Sequence, residues 1–405
     1  MDSDQRVMNS PPGLPAKIRI ISDGRFPSYD TNTQQILKSA SALARTGLDV
    51  ELCIVSRNRY NFYRAARFRA LLMDYYAVRG PLKIKRSHCI PAGRFRPERI
   101  THGILSPFCA LFRGVKIFYS RDPIPVLLAL LLRRYVIFET YRCLGNEYPR
   151  LMRRLARFSR ARHFLGIITH SRLAADSIIQ AGFPPDKLAA MHNGFDPEDM
   201  QPVLTRSEAR RLTNLPEDKF LLVYTGNMHI CKGLETIVEI AAKRPALCFV
   251  LVGGGPEEDI ARLTETVRIR KIENIIFTGR RPISEVSNYL YAADVLLIPP
   301  TAAPLEKSGR VVLPFKTFLY LAAGRAILAA GTPDLLEVLD ERCALLVPPD
   351  DEAAALAAVD RLHSSPELCA LLAEGAKEAA SHLTWDARGR KIAQWITERF
   401  TQKST

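Results

Sequence analysis

The sequence has no CxxC pair, no GxxxxGK[ST] phosphate loop and no long apolar run. Its eight cysteines are scattered, which indicates buried thiols in a reducing compartment instead of a disulfide or metal framework. An apolar run such as residues 124–132 is far shorter than the roughly 20 residues of a membrane-spanning helix. These absences argue against a metal site, a P-loop NTPase and a membrane-spanning protein.

Charge and length are more informative. The 405 residues exceed the size at which one core stops growing, which predicts two domains. Residues 1–200 hold 32 Lys and Arg against 16 Asp and Glu, whereas residues 201–405 hold 25 against 26. A basic first half favours a surface that meets phosphate, in nucleic acid, lipid or a phosphorylated ligand. Residues 1–16 are polar and lack the pattern of a secretory signal, so we expect a disordered lead-in there.

Strand and helix patterns alternate along both halves of the chain. The first half begins with the strand pattern KIRIIS, and the second repeats the same order from KFLLVYTG. This alternation predicts right-handed βαβ units and parallel sheets. We therefore predict an α/β protein with two Rossmann-like, doubly wound domains at residues 17–200 and 219–385. A polar connection at 201–218 joins them.

Three turns in the second half carry candidate phosphate contacts. Lys232 lies between a strand and a helix in TGNMHICKG, a place where parallel sheets gather anions, although a solvated surface lysine is the simpler alternative. The glycines of VLVGGGPEED allow close approach of a ligand, or form a tight turn without one. Lys316 opens a short helix that ends at Gly324, which is also typical of a capped core helix.

Taken together, these turns resemble the retaining nucleotide-sugar glycosyltransferases of the GT-B fold, in particular family GT4. The similarity is carried by YTGNMHICKGLETIVE, FVLVGGGPEEDIARL, IIFTGRRPISEVSNYLYAADVLLIPP and PFKTFLYLAAGRAILA, and it covers residues 165–390. The first domain matches more loosely, through YSRDP, FETY, THSRLAADSI and HNGFD. The resemblance implies two facing Rossmann-like domains, with the donor on the second and the acceptor on the first. It also implies that residues 386–405 cross back onto the first domain.

The resemblance further implies a set of site residues. Those expected to bind the donor are Gly226, Asn227, Lys232, Gly253, Gly254, Gly255, Arg280, Lys316, Thr317, Leu319 and Glu337. Lys232 and Lys316 would neutralise the leaving diphosphate, so we expect no metal and no cofactor besides the nucleotide-sugar donor. Lys232 and Glu139 are the catalytic candidates, with Glu139 at the acceptor or sugar. A structural acid at a strand end is an equal alternative for Glu139, and a solvated helix-start acid is the simpler one for Glu337.

Two acids of the family pattern are replaced here, by Val311 and Leu319. Neither side chain accepts a hydrogen bond from a ribose hydroxyl. The family's Glu-x-His is Glu139-Thr140-Tyr141, without the histidine. The leading hypothesis is transfer of a sugar to a cell-envelope glycolipid or polysaccharide precursor. The alternative is a catalytically impaired GT-B protein that acts as a binding, scaffold or regulatory partner.

Basic and aromatic residues alternate in 57–86 and again in the basic helix pattern of 150–162. Such mixtures suit the headgroup layer of an anionic membrane. The candidate acceptor or membrane contacts are Arg57, Arg59, Tyr60, Arg64, Arg67, Arg69, Arg153, Arg154 and Arg157. We expect a cytoplasmic protein, peripheral at the inner face of the membrane, with a lipid-linked or saccharide acceptor. An ordinary basic face or a protein contact is the alternative. No nucleic-acid partner is expected, because no RRM, KH or helix-turn-helix pattern is present.

Overall fold

The computed structural model describes residues 16–56, 58–87, 90, 95–306 and 312–404, so the predictions for Arg57 and Val311 lie outside the described residues. The described residues form thirteen strands, most of them from apolar runs. They are β1 (Lys17–Phe26), β2 (Val50–Ser56), β3 (Lys83–Arg86), β4 (Val115–Ser120), β5 (Tyr135–Thr140), β6 (Phe164–Thr169), β7 (Leu188–Ala190), β8 (Leu221–Asn227), β9 (Cys248–Gly254), β10 (Ile275–Gly279), β11 (Val295–Leu297), β12 (Ala326–Ala330) and β13 (Leu345–Val347).

Sixteen helices connect and cover the strands in the described part of the chain. They are α1 (Thr31–Arg45), α2 (Ala65–Tyr75), α3 (Pro97–Leu111), α4 (Pro123–Leu131), α5 (Leu144–Glu147), α6 (Pro149–Leu155), α7 (Arg172–Gln180), α8 (Arg206–Thr213), α9 (Leu234–Lys243), α10 (Glu257–Ile269), α11 (Ile283–Ala292), α12 (Ala303–Glu306), α13 (Lys316–Ala323), α14 (Glu352–Ser364), α15 (Pro366–Ala380) and α16 (Trp385–Ser404). No helix among these described residues is long and apolar enough to cross a membrane.

The strands form two parallel sheets, one in each half of the chain. The N-terminal sheet has the order β3-β2-β1-β4-β5-β6-β7, and the C-terminal sheet has the order β10-β9-β8-β11-β12-β13. Strand β2 is buried along its whole length, as expected for a parallel sheet covered by helices on both faces. The predicted α/β architecture of two doubly wound domains is therefore confirmed.

In each sheet the strand order reverses next to the first strand. The reversal falls between β1 and β4 in the N-terminal sheet and between β8 and β11 in the C-terminal sheet. Open α/β sheets bind ligands in the crevice beyond the carboxyl ends of such a strand pair. The fold alone therefore locates one candidate crevice in each domain.

The connection between the domains is more ordered than its polar sequence indicates. It contains α8, which starts with a capping box in which Thr205 and Glu208 satisfy each other's backbone N–H groups. Ala209 and Leu215 are buried in an apolar cluster that also holds Phe195 of the N-terminal domain and Phe318 of the C-terminal domain. The two domains therefore share apolar packing.

Helix α16 crosses from the C-terminal domain back to the N-terminal sheet. Ile392, Ile396 and Phe400 enter the N-terminal core, where they join an apolar cluster that contains Leu37 of α1. Arg388, at the start of the same helix, is almost fully buried and donates to Ser39 Oγ at 2.6 Å. The end of the chain therefore stabilises the first domain.

We expect Ile396→Ala to lower the free energy of unfolding by about 2 to 5 kcal/mol, because it removes buried methyl groups and leaves a cavity between α16 and the sheet. Urea unfolding measures the change. Gln394→Ala, on the exposed side of the same helix, is the matched control and should stay within about 0.5 kcal/mol of wild type. Equal effects of both substitutions would contradict the role given to α16.

Candidate functional site

The crevice of the C-terminal domain is bounded by two strand ends that only glycine can form. Gly226 and Gly253 lie opposite each other at the ends of β8 and β9, with φ angles of 136° and 150°. A Cβ atom on Gly253 would lie 1.8 Å from the carbonyl oxygen of Gly226. Glycine is needed in both places because other residues rarely adopt these angles. The backbone at this sheet edge is consequently left open to a ligand.

Two lysines converge on this edge. Lys316 begins α13, and its Nζ lies 3.3 Å from the centre of the Tyr224 ring. A Cβ atom on Gly226 would lie 3.2 Å from the same Nζ. Lys232 ends a 3-10 turn and precedes Gly233, whose Cβ would collide with Thr301. The fold therefore positions both ammonium groups close to the glycine edge.

The two ammonium groups are partly buried, and no described residue supplies a counter-ion to either of them. Burial lowers the pKa of Lys232, and burial together with the nearby charge of Lys232 lowers the pKa of Lys316 well below its usual value. Among the described residues no carboxylate is close enough to pair with either one. Two like charges held together in partial burial are unfavourable until an anion binds between them. This arrangement is suited to a diphosphate.

The other residues predicted to bind the donor lie in different surroundings. The amide oxygen of Asn227 accepts the backbone N–H of His229 at 2.8 Å, so this side chain shapes the turn. Thr317 is completely buried, and Leu319 packs against the core of the domain. The Thr317 hydroxyl oxygen is buried with no hydrogen-bond partner among the described residues, and Leu319 has no hydrogen-bonding side chain. Sequence reasoning assigned Thr317 to the donor because of its place beside Lys316 in the motif.

Arg280 connects the two crevices. Its guanidinium lies within about one contact distance of Gly254, since a Cβ atom there would be 3.2 Å from Arg280 Nε. The same guanidinium stacks on the ring of Tyr29, 4.3 Å from its centre. Tyr29 belongs to the loop after β1 of the N-terminal domain. The third glycine of the turn, Gly255, lies against the backbone of Met228.

Glu337 lies at the boundary of the domains. Its carboxylate accepts the backbone N–H groups of Arg172 and Leu173, at 2.6 and 2.8 Å, and lies 2.7 Å from His192 Nε2. Burial would raise its pKa, but these hydrogen bonds outweigh burial and lower it. The carboxylate thus caps the N-terminus of α7, where negative charge is favourable. This contact joins the two domains and differs from the predicted ribose or sugar contact.

Glu139 is the centre of a buried ionic network in the N-terminal domain. Arg388 Nη2 donates to it at 2.6 Å, Arg121 donates from two nitrogens at 3.2 Å, and His170 Nε2 lies 2.7 Å away. Burial alone would raise the pKa of Glu139, but the two arginines and His170 hold it well below its usual value. Glu139 therefore stays ionised at neutral pH, which makes it an anchor for these groups and a poor general base.

His170 in this network is neutral. Burial and the charge of Arg121 lower its pKa to about 4, against the opposing effect of Glu139. Asn193 Nδ2 lies 3.2 Å from His170 Nδ1, and His170 Nε2 lies 2.7 Å from Glu139 and 3.1 Å from Arg121 Nη2, so both ring nitrogens have polar partners. The partners of Glu139 were missed by sequence reasoning, because Arg388 is 249 positions away and no local pattern marks it.

A cavity of about 840 Å³ opens beside Glu139 at the carboxyl ends of the N-terminal strands. Its polar mouth includes Asn32, Arg121 and Asp30, and the last of these directly follows Tyr29, the residue that contacts Arg280. The crevice of the first domain therefore adjoins that of the second. Among the described residues, no group of three or more His, Cys, Asp or Glu could hold a metal ion.

The basic stretch of 57–86 forms the predicted aromatic surface only in part, since Phe62 is 96% exposed whereas other rings of the stretch are buried. Phe68 and Tyr76 are buried in the N-terminal core, and Tyr60 packs against it. Their helical spacing around Leu72 marks a core-facing stripe, a signal that was available in the sequence. Arg69 donates to the backbone oxygens of 80 and 82, whereas Arg64 and Arg67 are exposed. The side chain of Arg59 is not among those described.

The second basic stretch is a surface. Arg153 and Arg154 in α6 and Arg157 in the following 3-10 turn are exposed. Leu151 and Phe158 are exposed beside them. Exposed apolar and basic side chains therefore occur together in the short stretch 151–158.

The two facing sheets define the GT-B fold. The crystal structure of the Anabaena protein HepE in complex with UDP is similar to this chain with a TM-score of 0.73 and 14% sequence identity, over 94% of this chain and 100% of that one. Residues 219–365 match the profile of the family "Glycosyl transferases group 1". Fold and match support the interpretation of the chain as a group 1 glycosyltransferase.

Two curated relatives are named as sugar transferases. The chain is 25% identical over 232 residues to the sulfoquinovosyl transferase of Arabidopsis thaliana. The aligned region covers 56% of this chain and 43% of that protein. It is 24% identical over 233 residues to the amylovoran biosynthesis glycosyltransferase of Erwinia amylovora, which covers 56% of this chain and 51% of that protein. The chain thus spans about half the length of the relatives it matches.

We expect stability to fall more steeply in wild type than in His170→Gln as the pH is lowered from about 6.5 to about 4. The unfolded chain binds a proton at His170 in this range and the folded chain does not, so acid favours unfolding by on the order of 2 to 3 kcal/mol. Urea midpoints across this pH range measure the effect. Above about pH 7 the two curves should run parallel, since the histidine is then neutral in both states. Parallel curves at every pH would show that His170 does not titrate on unfolding.

Proposed function

We propose that this protein is a retaining glycosyltransferase of GT4 type that transfers a hexose from a nucleotide-sugar donor to a cell-envelope glycolipid or polysaccharide precursor. The observation that carries the proposal is the pair of partly buried ammonium groups of Lys232 and Lys316 beside the glycine edge of the C-terminal sheet, which no carboxylate of the described residues pairs with. The family match of residues 219–365 covers this edge, and HepE, the similar structure, was solved with UDP.

The chemistry follows from where charge develops. When the bond between the sugar and the diphosphate breaks, negative charge appears on the leaving phosphate. Lys232 and Lys316 stabilise that charge in a site already arranged for it, which is the main requirement for this type of transfer. They supply the positive charge that a metal ion supplies in other transferases. The leaving phosphate accepts the proton of the acceptor hydroxyl on the same face, which accounts for retention without a separate base.

The acceptor belongs in the N-terminal crevice. The cavity beside Glu139 adjoins the donor edge through Tyr29 and Arg280. Glu139 holds Arg121 at the mouth of this cavity and keeps its own charge compensated. In this proposal Glu139 positions Arg121 for the acceptor, and the amylovoran relative supports a saccharide product.

We expect UDP, GDP or ADP to bind to wild type and Lys232→Ala to weaken binding of that nucleotide about 10- to 100-fold, because it removes a charged contact to phosphate. Isothermal titration calorimetry measures the affinity. Lys391→Ala removes the same charge from the exposed face of α16 and should leave it unchanged. The enzyme proposal fails if none of the three nucleotides, nor their sugar derivatives, binds to wild type.

A second candidate function is binding without catalysis, and Leu319 favours it. This leucine packs on the domain core where the family pattern has an acid. A donor ribose placed there would lose a hydrogen-bond partner, at a cost of about 1 to 3 kcal/mol. Nucleotide binding without turnover of any sugar nucleotide would support a scaffold or regulatory role.

We further propose that the protein works at the cytoplasmic face of the membrane through the exposed basic and apolar face of α6. Binding to anionic vesicles and not to neutral ones is expected in a sedimentation assay. Replacing Arg153 and Arg157 by Ala should weaken it about 30-fold, since each Arg near an anionic surface contributes about 1 kcal/mol. Replacing Arg211 and Arg268, which are exposed in α8 and α10, removes the same charge elsewhere and should have no effect. Equal failure to bind both vesicle types would remove the membrane from the proposal.

A further inference from the structure

The cavity beside Glu139 continues far beyond its polar mouth. Behind the mouth it is lined by apolar side chains, among them Leu127 and Leu130 of α4, Leu151 and Leu155 of α6, and Ile167 of β6. These helices lie on the face of the N-terminal sheet opposite α1 and α16, over an apolar cluster that includes Val126 and Met152. The interior of this crevice is therefore hydrocarbon in character.

The cavity is elongated along the strands. Its lining includes Glu139 and Thr140 at the carboxyl end of β5 and Phe164, the first residue of the neighbouring β6. From Phe164 to Thr169, which pairs with Thr140, is five residue steps, or about 16 Å of strand. The lining of the cavity thus extends from the first residue of β6 to the level of its last, and we call this cavity the channel.

An unfilled apolar channel of this size is not ordinary core packing. Protein interiors are close-packed, with few voids larger than a water molecule. Ligand sites of about 300 to 1,000 Å³ combine apolar walls with polar groups that orient the ligand, and this cavity has both an apolar part and a part lined by charged side chains. Ordered water needs polar partners, which the apolar part of the wall does not supply. The chemistry of the wall selects a hydrocarbon chain.

The outer wall of the channel is open towards the basic face. Leu151 and Phe158 both line the channel and are 52% exposed, and Leu127 is 39% exposed. Exposed Arg154 and Arg157 lie in the same short stretch as Leu151 and Phe158. A chain can therefore enter between α4 and α6, on the side where anionic headgroups are attracted, while its polar end stays at the mouth.

We propose that this channel binds the single hydrocarbon chain of a lipid-linked acceptor, with the hydroxylated head at the mouth near Glu139 and Arg121. The role of the head rests on the proposed function, because the head must face the donor edge of the C-terminal domain. Binding of the chain does not rest on it, since chain binding depends only on the walls of the channel.

The test uses the full-length protein and alkyl glucosides of increasing chain length, which displace an environment-sensitive fluorescent fatty acid. The affinity is expected to rise about fourfold for each added methylene and to stop rising once the channel is full. Leu130→Trp and Leu155→Trp narrow the channel from its two walls and should each weaken binding of the longest chain about tenfold or more. Leu131→Trp is the matched control on α4, because Leu131 is 79% exposed and does not line the channel.

Calorimetry with UDP and thermal unfolding accompany every variant. Loss of chain affinity in Leu130→Trp and Leu155→Trp, with unfolding temperature and UDP affinity retained, supports the proposal. If one variant is unfolded, the other decides. If both are unfolded, a photoreactive fatty acid on wild type decides, by labelling the stretches that line the channel, at 123–130, 138–159, 164–167 or 183, and no other part of the chain.

Three results would overturn the proposal: affinity independent of chain length, equal loss in Leu131→Trp, or labelling elsewhere. Chain binding without nucleotide binding would refute the glycosyltransferase and leave the channel assignment standing. Nucleotide binding without chain binding would refute only the channel assignment.

Discussion

The arrangement of Lys232 and Lys316 is the constraint on which the donor side depends. Two ammonium groups in partial burial repel each other, and desolvation disfavours both charges, as the lowered pKa values of both groups show. Other parts of the fold must therefore fix the two lysines in place. Here Gly226 and Gly253 give the sheet edge its open shape, and the start of α13 fixes Lys316 over Tyr224. The unfavourable charge pair becomes favourable when an anion carrying two negative charges binds.

The domains are held together by carboxylates that could be mistaken for sugar contacts. Glu337 caps α7 of the opposite domain and accepts from His192, and Glu139 ties Arg388 of the crossing helix to Arg121 at the acceptor crevice. Removing the partners of a carboxylate that is buried and paired in this way destabilises a protein by several kcal/mol. Both acids therefore contribute most by fixing where the two crevices lie relative to each other.

Sequence patterns were informative where a contiguous stretch encodes the structure. The strand-glycine turns and the helices that begin at Glu257 and Lys316 follow from local periodicity and turn chemistry. The basic helix predicted over 150–162 is shorter, because α6 ends at Leu155 and a 3-10 turn follows to Arg160. The fold was predicted for the same reason. The missing information was long-range: nothing local to Glu139 indicates Arg388, and nothing near Arg280 indicates Tyr29. In 57–86 the composition suggested a membrane surface, but the spacing of Phe68, Leu72 and Tyr76 places them in the core.

The basic residues of the first half are of two kinds, those paired inside the domain and those exposed at its surface. Several arginines form ion pairs inside the domain, as Arg19 does with Glu51 and Arg121 does with Glu139. Such pairs are compensated and create little field outside the protein. The arginines of α6 and its 3-10 turn are exposed, beside Leu151 and Phe158. Part of the exposed basic charge therefore lies in the same stretch as side chains that line the apolar channel. For the proposed lipid-linked acceptor, this stretch would combine attraction to an anionic surface with access for a hydrocarbon chain.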